Sequence, residues 1–217
     1  MNKKEDLIKY WIDENIVSDK RIIDAFQKIN RENFVPEEYK NLAYNDYPLS
    51  IGEEQTISQP TTVAIMTSLL EPKEDQKILE IGTGSGYQVA ILGKIVGKGG
   101  KITSVEIIPK LAEFAKKNLK KENITNVEII NADGSSGYKK GAPYDRILVT
   151  AGTPKITETL ISQLNDNGII VAPVGFDIYS LTMTKIIKKG KKRVKEEHGI
   201  FSFVPLIGKE GFDSRWK

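Results

Sequence analysis

Apolar positions in the first third of the chain recur at helical spacing. Leu7, Trp11 and Ile16 mark one stripe, and Ile22, Ile23, Phe26 and Ile29 mark a second behind a cap at Ser18 or Asp19. After Phe34-Val35-Pro36 the periodicity stops. Residues 44–60 are rich in proline, glycine, aspartate and small polar side chains, which predicts loops. A helix from about Thr61 to Leu70 follows.

From Lys77 the pattern becomes strand and helix in alternation. KILEI (77–81), KITSVE (101–106), NVEII (126–130), RILVT (146–150) and GIIVAPV (168–174) read as strands. Helices are predicted over Tyr87–Val96, from Pro109, and near Thr157–Leu164, with a turn at 165–168 before the fifth strand. Two more strands, near Ser180–Ile187 and Gly199–Leu206, form a closing antiparallel pair. This alternation predicts an α/β fold: a doubly wound, mostly parallel, seven-stranded sheet with helices on both faces and an N-terminal helical cap. One domain is expected over 1–217. It divides into a cap and active-site loop (1–60), a βα core (61–175), and C-terminal strands with a tail (176–217).

Composition narrows the chemistry. The 217 residues contain no cysteine and one histidine, His198. Disulfides, thiolate metal sites, cysteine nucleophiles and multi-histidine metal sites are therefore excluded, and no metal is expected. Net charge is +3, too small to imply a nucleic-acid partner. The basic run KIIKKGKKRVK (185–195) is read as a solvated hairpin tip. No apolar run approaches the ~20 residues of a membrane span, and the first residues lack a signal-peptide pattern. A cytoplasmic protein without a membrane partner is expected.

Leu79–Tyr87 reads LEIGTGSGY, a strand running through Gly82-x-Gly84-x-Gly86 into a helix. Glycines allow close backbone approach, and the helix start offers free amides. Glu106 ends the second strand, roughly 20 residues past Gly86, where an acid accepts hydrogen bonds from a ribose. Asp133-Gly134 follows the third strand, placed to meet an adenine amine. A dinucleotide fingerprint keeps two residues between its second and third glycines. The GxGxG spacing here, with Glu80 just before it, favours S-adenosylmethionine over nicotinamide.

Further segments carry a family likeness: RENFVP (31–36), AYNDYPLSIG (43–52), QTISQP (55–60), NADGSSGY (131–138), APYDRILVTAG (142–152) and FSFVPLIG (201–208). With the glycine loop, they make the chain resemble the protein-L-isoaspartate (D-aspartate) O-methyltransferases from Arg31 to Trp216; the closing DSRWK (213–217) also looks like the end of some members. The resemblance implies a class I, Rossmann-like methyltransferase sheet with its last two strands exchanged in order. It also implies methyl transfer from S-adenosyl-L-methionine to the free α-carboxylate of L-isoaspartyl residues, or the side chain of D-aspartyl residues, in damaged proteins. The product ester would then begin repair through a succinimide.

Carried over by position, Ser58 matches the active-site serine. Thr56, Ile57, Ser58 and Gln59 match the segment against the cofactor, together with Gly82, Gly84, Glu106, Asp133 and Gly134. Ser58, Val63, Leu206 and Ile207 are the expected substrate contacts, within a Val204–Ile207 stretch bordering the peptide. Extended docking of that peptide by main-chain hydrogen bonds is expected there. Some relatives carry histidines where this chain has Thr61, Thr62 and Val63, so any imidazole contact to the carboxylate is absent.

A carboxylate with a pKa near ~3.5–4 is ionised at neutral pH and needs no general base. Ser58 is thus expected to orient it, Asp46 to position a loop, and His198 to be exposed and incidental. The expected partners are isoaspartyl peptides and proteins, and the chain is expected to be a monomer. The alternative is a methyltransferase acting on RNA or a small molecule; Thr150–Pro154 lacks the signature used on exocyclic amines. A non-catalytic binding module and a nicotinamide dehydrogenase are weaker rivals.

Overall fold

The computed structural model describes residues 4–213. Trp216 and most of the DSRWK segment lie outside the described residues. Two helices open the chain, α1 (Lys4–Asp13) and α2 (Lys20–Lys28). Asp19 is the α2 cap, its side chain accepting from the Arg21 amide. Short 3-10 helices follow at Arg31–Phe34 and Glu37–Leu42.

The predicted loop at 44–60 contains a hairpin, β1 (Leu49–Gly52) against β2 (Gln55–Ile57). Its turn holds Glu53 and Glu54 at positive φ, +52° and +58°. Glutamates are rare there, so no turn signal announced the hairpin. Then comes α3 (Pro60–Leu70), with proline at its first turn.

The sheet elements are β3 (Lys77–Ile81), α4 (Tyr87–Val96), β4 (Lys101–Glu106), α5 (Pro109–Lys121), β5 (Val127–Asn131), β6 (Tyr144–Val149), α6 (Glu158–Ser162), β7 (Leu164–Val174), β8 (Leu181–Lys189) and β9 (Lys192–Phe201). Their spatial order is β5-β4-β3-β6-β7-β8-β9, parallel through β7 and antiparallel thereafter. The last two strands thus stand in chain order along the edge, as the resemblance implies. Strand order reverses between β3 and β6, which opens a crevice at the carboxyl ends of these strands.

Alternation within strands sends side chains into two cores. Ile78 and Ile102 join Trp11, Phe26, Phe34 and Tyr87 beneath α1 to α5. Leu79, Ile81 and Val105 join Ile147, Val149 and Leu160 on the other face. That second face carries α6, the C-terminal segment at Leu206 and loop residues Tyr138, Ala142 and Ile156.

Two boundaries differ from expectation. Residues 165–168 are an irregularity inside β7, not a separate turn, with the register to β6 shifting between Tyr144 and Arg146. The last strand is β9, ending at Phe201; Gly199–Leu206 is mostly extended chain beyond it. The basic run forms the facing ends of β8 and β9, with a tight turn at 190–191. Lys185 within it is buried between Glu71 (2.7 Å) and Glu196 (3.4 Å), and Arg193 pairs with Glu158. The charged run KRVKEEH (192–198) concealed the start of β9.

Candidate active site

The glycine loop sits where β3 meets the crevice. Gly82 donates to the Val105 carbonyl (2.9 Å), and Thr150 at the end of β6 donates to Ile81 (2.9 Å). Gly82 has φ +93°, and a Cβ there would lie 2.6 Å from Thr150 Oγ1. Only glycine fits. Glu106 accepts from the amides of Gly84 (2.8 Å) and Ile108 (2.9 Å), so its carboxylate is fixed at the mouth of the loop.

Glu80 does not face this cleft. It is wholly buried, accepts from Ser104 Oγ (2.5 Å), and has a second oxygen without a partner. Ser104 in turn meets Thr83 of the loop at 2.5 Å. Burial pushes the Glu80 pKa up to about 8. The acid beside the loop is therefore a brace under it, with burial favouring its neutral form.

Two chambers adjoin. The inner one is lined by Gly82, Gly84, Glu106, Ile107, Ile108 and Gly134, with Ile57, Val63, Leu206 and Ile207 as apolar walls. The outer one is lined by Gln59, Thr62, Tyr179, Ile200, Phe201 and Phe203. Thr56, Ser58, Thr150 and Val204 line both. Ser58 therefore stands at the junction of the two spaces. Tyr179 and Ile200 are 78% and 63% exposed, so the outer chamber opens to solvent past an apolar lip.

The segment bearing Ser58 is held from a distance. Asp46 accepts from the Thr61 amide (2.9 Å), Thr61 Oγ1 (2.7 Å) and Gln59 Nε2 (3.0 Å). It thereby caps α3, whose own cap residue Gln59 makes no capping bond. Trp11 Nε1 also donates to Thr61 Oγ1 (2.8 Å). Asp46 positions a loop, as expected, and lines neither chamber.

Other expected residues fall elsewhere. Asp133 accepts from the amides of Ser135 and Lys209, both at 2.8 Å, and does not line the inner chamber, although Gly134 does. Burial opposes its ionisation, but those two amides prevail and hold its carboxyl below the usual range. Its visible task is to fasten the C-terminal segment. Leu206 and Ile207 wall the inner chamber and not the outer one, where a peptide was expected to meet them. Part of the backbone there pairs with Gly152. Val204 accepts from Gly152 (2.8 Å), Leu206 donates to Gly152 (2.7 Å), and Pro205 between them has no N–H. These bonds occupy the edge of 204–206 that faces Gly152. His198 is half-buried and faces Glu196 at 3.3 Å, away from both chambers. Tyr179, Ile200 and Phe203 line the outer chamber without a sequence signal, because nothing local distinguishes a cleft-lining apolar side chain from a core one.

A model of the family described as "Protein-L-isoaspartate(D-aspartate) O-methyltransferase" matches residues 2–211. The chain belongs to this family. A protein-L-isoaspartate O-methyltransferase of Methanospirillum hungatei is 45% identical over 217 residues, covering 100% of this chain and 98% of that one. Protein-L-isoaspartate O-methyltransferase 2 of Archaeoglobus fulgidus is 49% identical over 195 residues, 90% of this chain and 89% of that one. Among solved structures, a protein-L-isoaspartate O-methyltransferase superposes with TM-score 0.83 at 29% identity, over 96% of this chain and 67% of that one. A Plasmodium falciparum structure in complex with S-adenosyl-L-homocysteine shares the fold, with TM-score 0.82 at 22% identity over 95% of this chain and 99% of that one. Family membership makes the chain an S-adenosylmethionine-dependent methyltransferase of the class I fold, with the last two strands exchanged. Among the described residues, no helix is long and apolar enough to cross a membrane.

Proposed function

We propose that this chain methylates the free α-carboxylate of L-isoaspartyl residues, and the side-chain carboxylate of D-aspartyl residues, in damaged proteins. The observation that carries this is the junction at Ser58, whose surroundings contain no general base. Among the described residues, Glu106 is the one carboxylate lining either chamber, and neither chamber is lined by lysine or histidine. An amine or hydroxyl acceptor would have to lose a proton to such a group. A carboxylate arrives ionised. The same lack disfavours an RNA or small-molecule acceptor that needs activation.

S-adenosylmethionine suits the inner chamber. Its ribose would meet Glu106, its methionyl part the Gly82–Gly84 backbone, and its adenine the apolar walls near Ile107, Ile108 and Gly134. When bound, it supplies a methyl group on a sulfonium centre. Thr56, Ile57 and Gln59 hold the wall between the chambers. Ser58 donates a hydrogen bond to one oxygen of the acceptor carboxylate and leaves the other oxygen facing the inner chamber. Its own hydroxyl has no hydrogen bond within the described protein, so it is free for this. Val63 supplies an apolar wall. Asp133 fastens the C-terminal segment at Lys209, two residues past the inner-chamber wall at Ile207. Holding both groups in line is worth roughly 7–11 kcal/mol in favourable cases.

A monomer working as a single domain in the cytoplasm completes this reading. The cap and active-site loop (1–60), the βα core (61–175) and the C-terminal strands and tail (176–217) each supply part of the cleft. The basic hairpin spends Lys185, Arg193 and Lys195 on ion pairs with carboxylates, which argues against a nucleic-acid surface. The ester product would close to a succinimide unaided.

The test is transfer of labelled methyl from S-adenosylmethionine to a short isoaspartyl peptide, with its aspartyl twin as control. Base-labile label on the isoaspartyl peptide alone is expected. Label on neither peptide, from folded protein that binds the cofactor, would refute the assignment.

A further inference from the structure

Arg31 is the largest fully buried side chain in the described protein, with 0% exposure. It forms no ion pair. Its Nε donates to the Ala43 carbonyl (2.7 Å), its Nη2 donates to the Ser58 carbonyl (2.8 Å), and Nη1 has no partner. The guanidinium carbon lies 4.9 Å from the centre of the Tyr87 ring. Tyr87 is the first residue of α4, directly after Gly86, and lines the inner chamber. Burial pulls the Arg31 pKa down only to about 10, so the charge persists at neutral pH.

A buried charge without a carboxylate partner costs stability, and a well-packed apolar side chain would avoid that cost. What arginine adds is geometry. Its fork is planar and rigid, so two carbonyls from separate segments and one aromatic face are fixed relative to each other. One carbonyl belongs to Ser58. The aromatic face belongs to the helix that opens behind the glycine loop. The one group therefore touches both halves of the cleft from behind, lining neither chamber.

We propose that Arg31 is a positioning residue for methyl transfer: by gripping the Ser58 carbonyl while stacked on Tyr87, it registers the Ser58 hydroxyl against the donor chamber. This rests on the reading of Ser58 as the group that orients the acceptor. Lysine at position 31 keeps the charge but reaches one carbonyl at a time. Misplacement of a reacting group by about 1 Å can cost on the order of 100-fold in rate.

The experiment is a double-mutant cycle with R31K, S58A and S58A/R31K. It reads kcat and KM on an isoaspartyl peptide, and the S-adenosylhomocysteine dissociation constant by calorimetry. R31K is expected to lower kcat roughly tenfold or more while cofactor affinity stays within about twofold. Adding R31K to S58A is expected to slow the enzyme by no more than about twofold, because one group acts through the other. If R31K does not fold, R31Q replaces it in the same cycle, since it removes the unpaired charge and keeps an amide donor. Wild-type kcat in R31K beside a slow S58A would overturn the Arg31 role and leave the Ser58 reading intact. Full additivity, or a loss of cofactor affinity matching the loss of rate, would overturn it as well. Unchanged kcat in S58A would refute the Ser58 reading and the Arg31 inference together. Misfolding of both Arg31 variants would make the residue a folding determinant and would also overturn the proposal.

Discussion

The two chambers of the cleft are built in opposite ways. The inner one is founded on neighbours in sequence, a strand, a glycine turn and the next helix, with Glu106 one strand away and distant apolar walls at Ile57, Val63, Leu206 and Ile207. Its shape follows from backbone amides and short-range hydrogen bonds such as Gly84 to Glu106. The outer one is assembled from residues 48–62, Thr150, Tyr179 and residues 200–204, which meet only in the folded chain. Long-range contacts hold it, chiefly Asp46 to Thr61, Arg31 to Ser58, and Gly152 to Val204 and Leu206. A cofactor of constant shape can be met by a stiff local motif. An acceptor that varies in its flanking sequence is met by an open lip and one well-placed hydroxyl.

This contrast can be broken from either side. Gly82→Ala should do most damage to the inner chamber, because φ +93° and the 2.6 Å approach to Thr150 Oγ1 leave no room for a methyl group. The expected outcome is roughly 10–100-fold weaker S-adenosylhomocysteine binding by calorimetry, from strain on the order of 1–3 kcal/mol. Asp46→Ala acts on the outer side. It removes the borrowed cap of α3 and is expected to cost about 1–2 kcal/mol in thermal or denaturant unfolding. The rate on an isoaspartyl peptide should fall more than cofactor affinity does.

Smaller still at pH 5, where the folded state holds a neutral side chain either way, is the effect of Glu80→Gln. The Glu80 pKa is raised from 4.5 to about 8 by burial, so between those values the native state keeps a proton that the unfolded state loses. Stability should therefore fall as pH rises through that window and level off above it. The glutamine variant, which cannot titrate, should show a flatter melting temperature from pH 5 to 8. An unchanged slope would place the titration elsewhere. Smallest of all is His198→Ala, expected to leave kcat and its pH profile within about twofold of the parent, since no imidazole acts as base.

The same contrast explains what could be read in advance. LEIGTGSGY, Glu106 and the strand–helix alternation announce themselves within short windows, and the inner chamber lies where they point. The outer chamber was approached only through the likeness of QTISQP and RENFVP to known enzymes. A buried arginine runs against burial rules, so Arg31 carried no signal of its own role. The hairpin β1–β2 was hidden by glutamates at positive φ, and the first part of β9 by basic residues, of which Arg193 pairs with Glu158 and Lys195 with Glu197. Asp133 sits beside the inner chamber as foreseen, yet its oxygens serve the amides of Ser135 and Lys209, a contact across the whole C-terminal half that no local pattern reveals.

The most direct test of the division between donor and acceptor sides is Ser58→Ala, assayed for both halves on the same preparation. Loss of one hydrogen bond to a charged oxygen is expected to cut kcat on the isoaspartyl peptide by roughly 10–100-fold. The S-adenosylhomocysteine dissociation constant should stay within about twofold of the parent's. Parallel loss of rate and cofactor affinity would contradict the division, and loss of neither would contradict the role of Ser58.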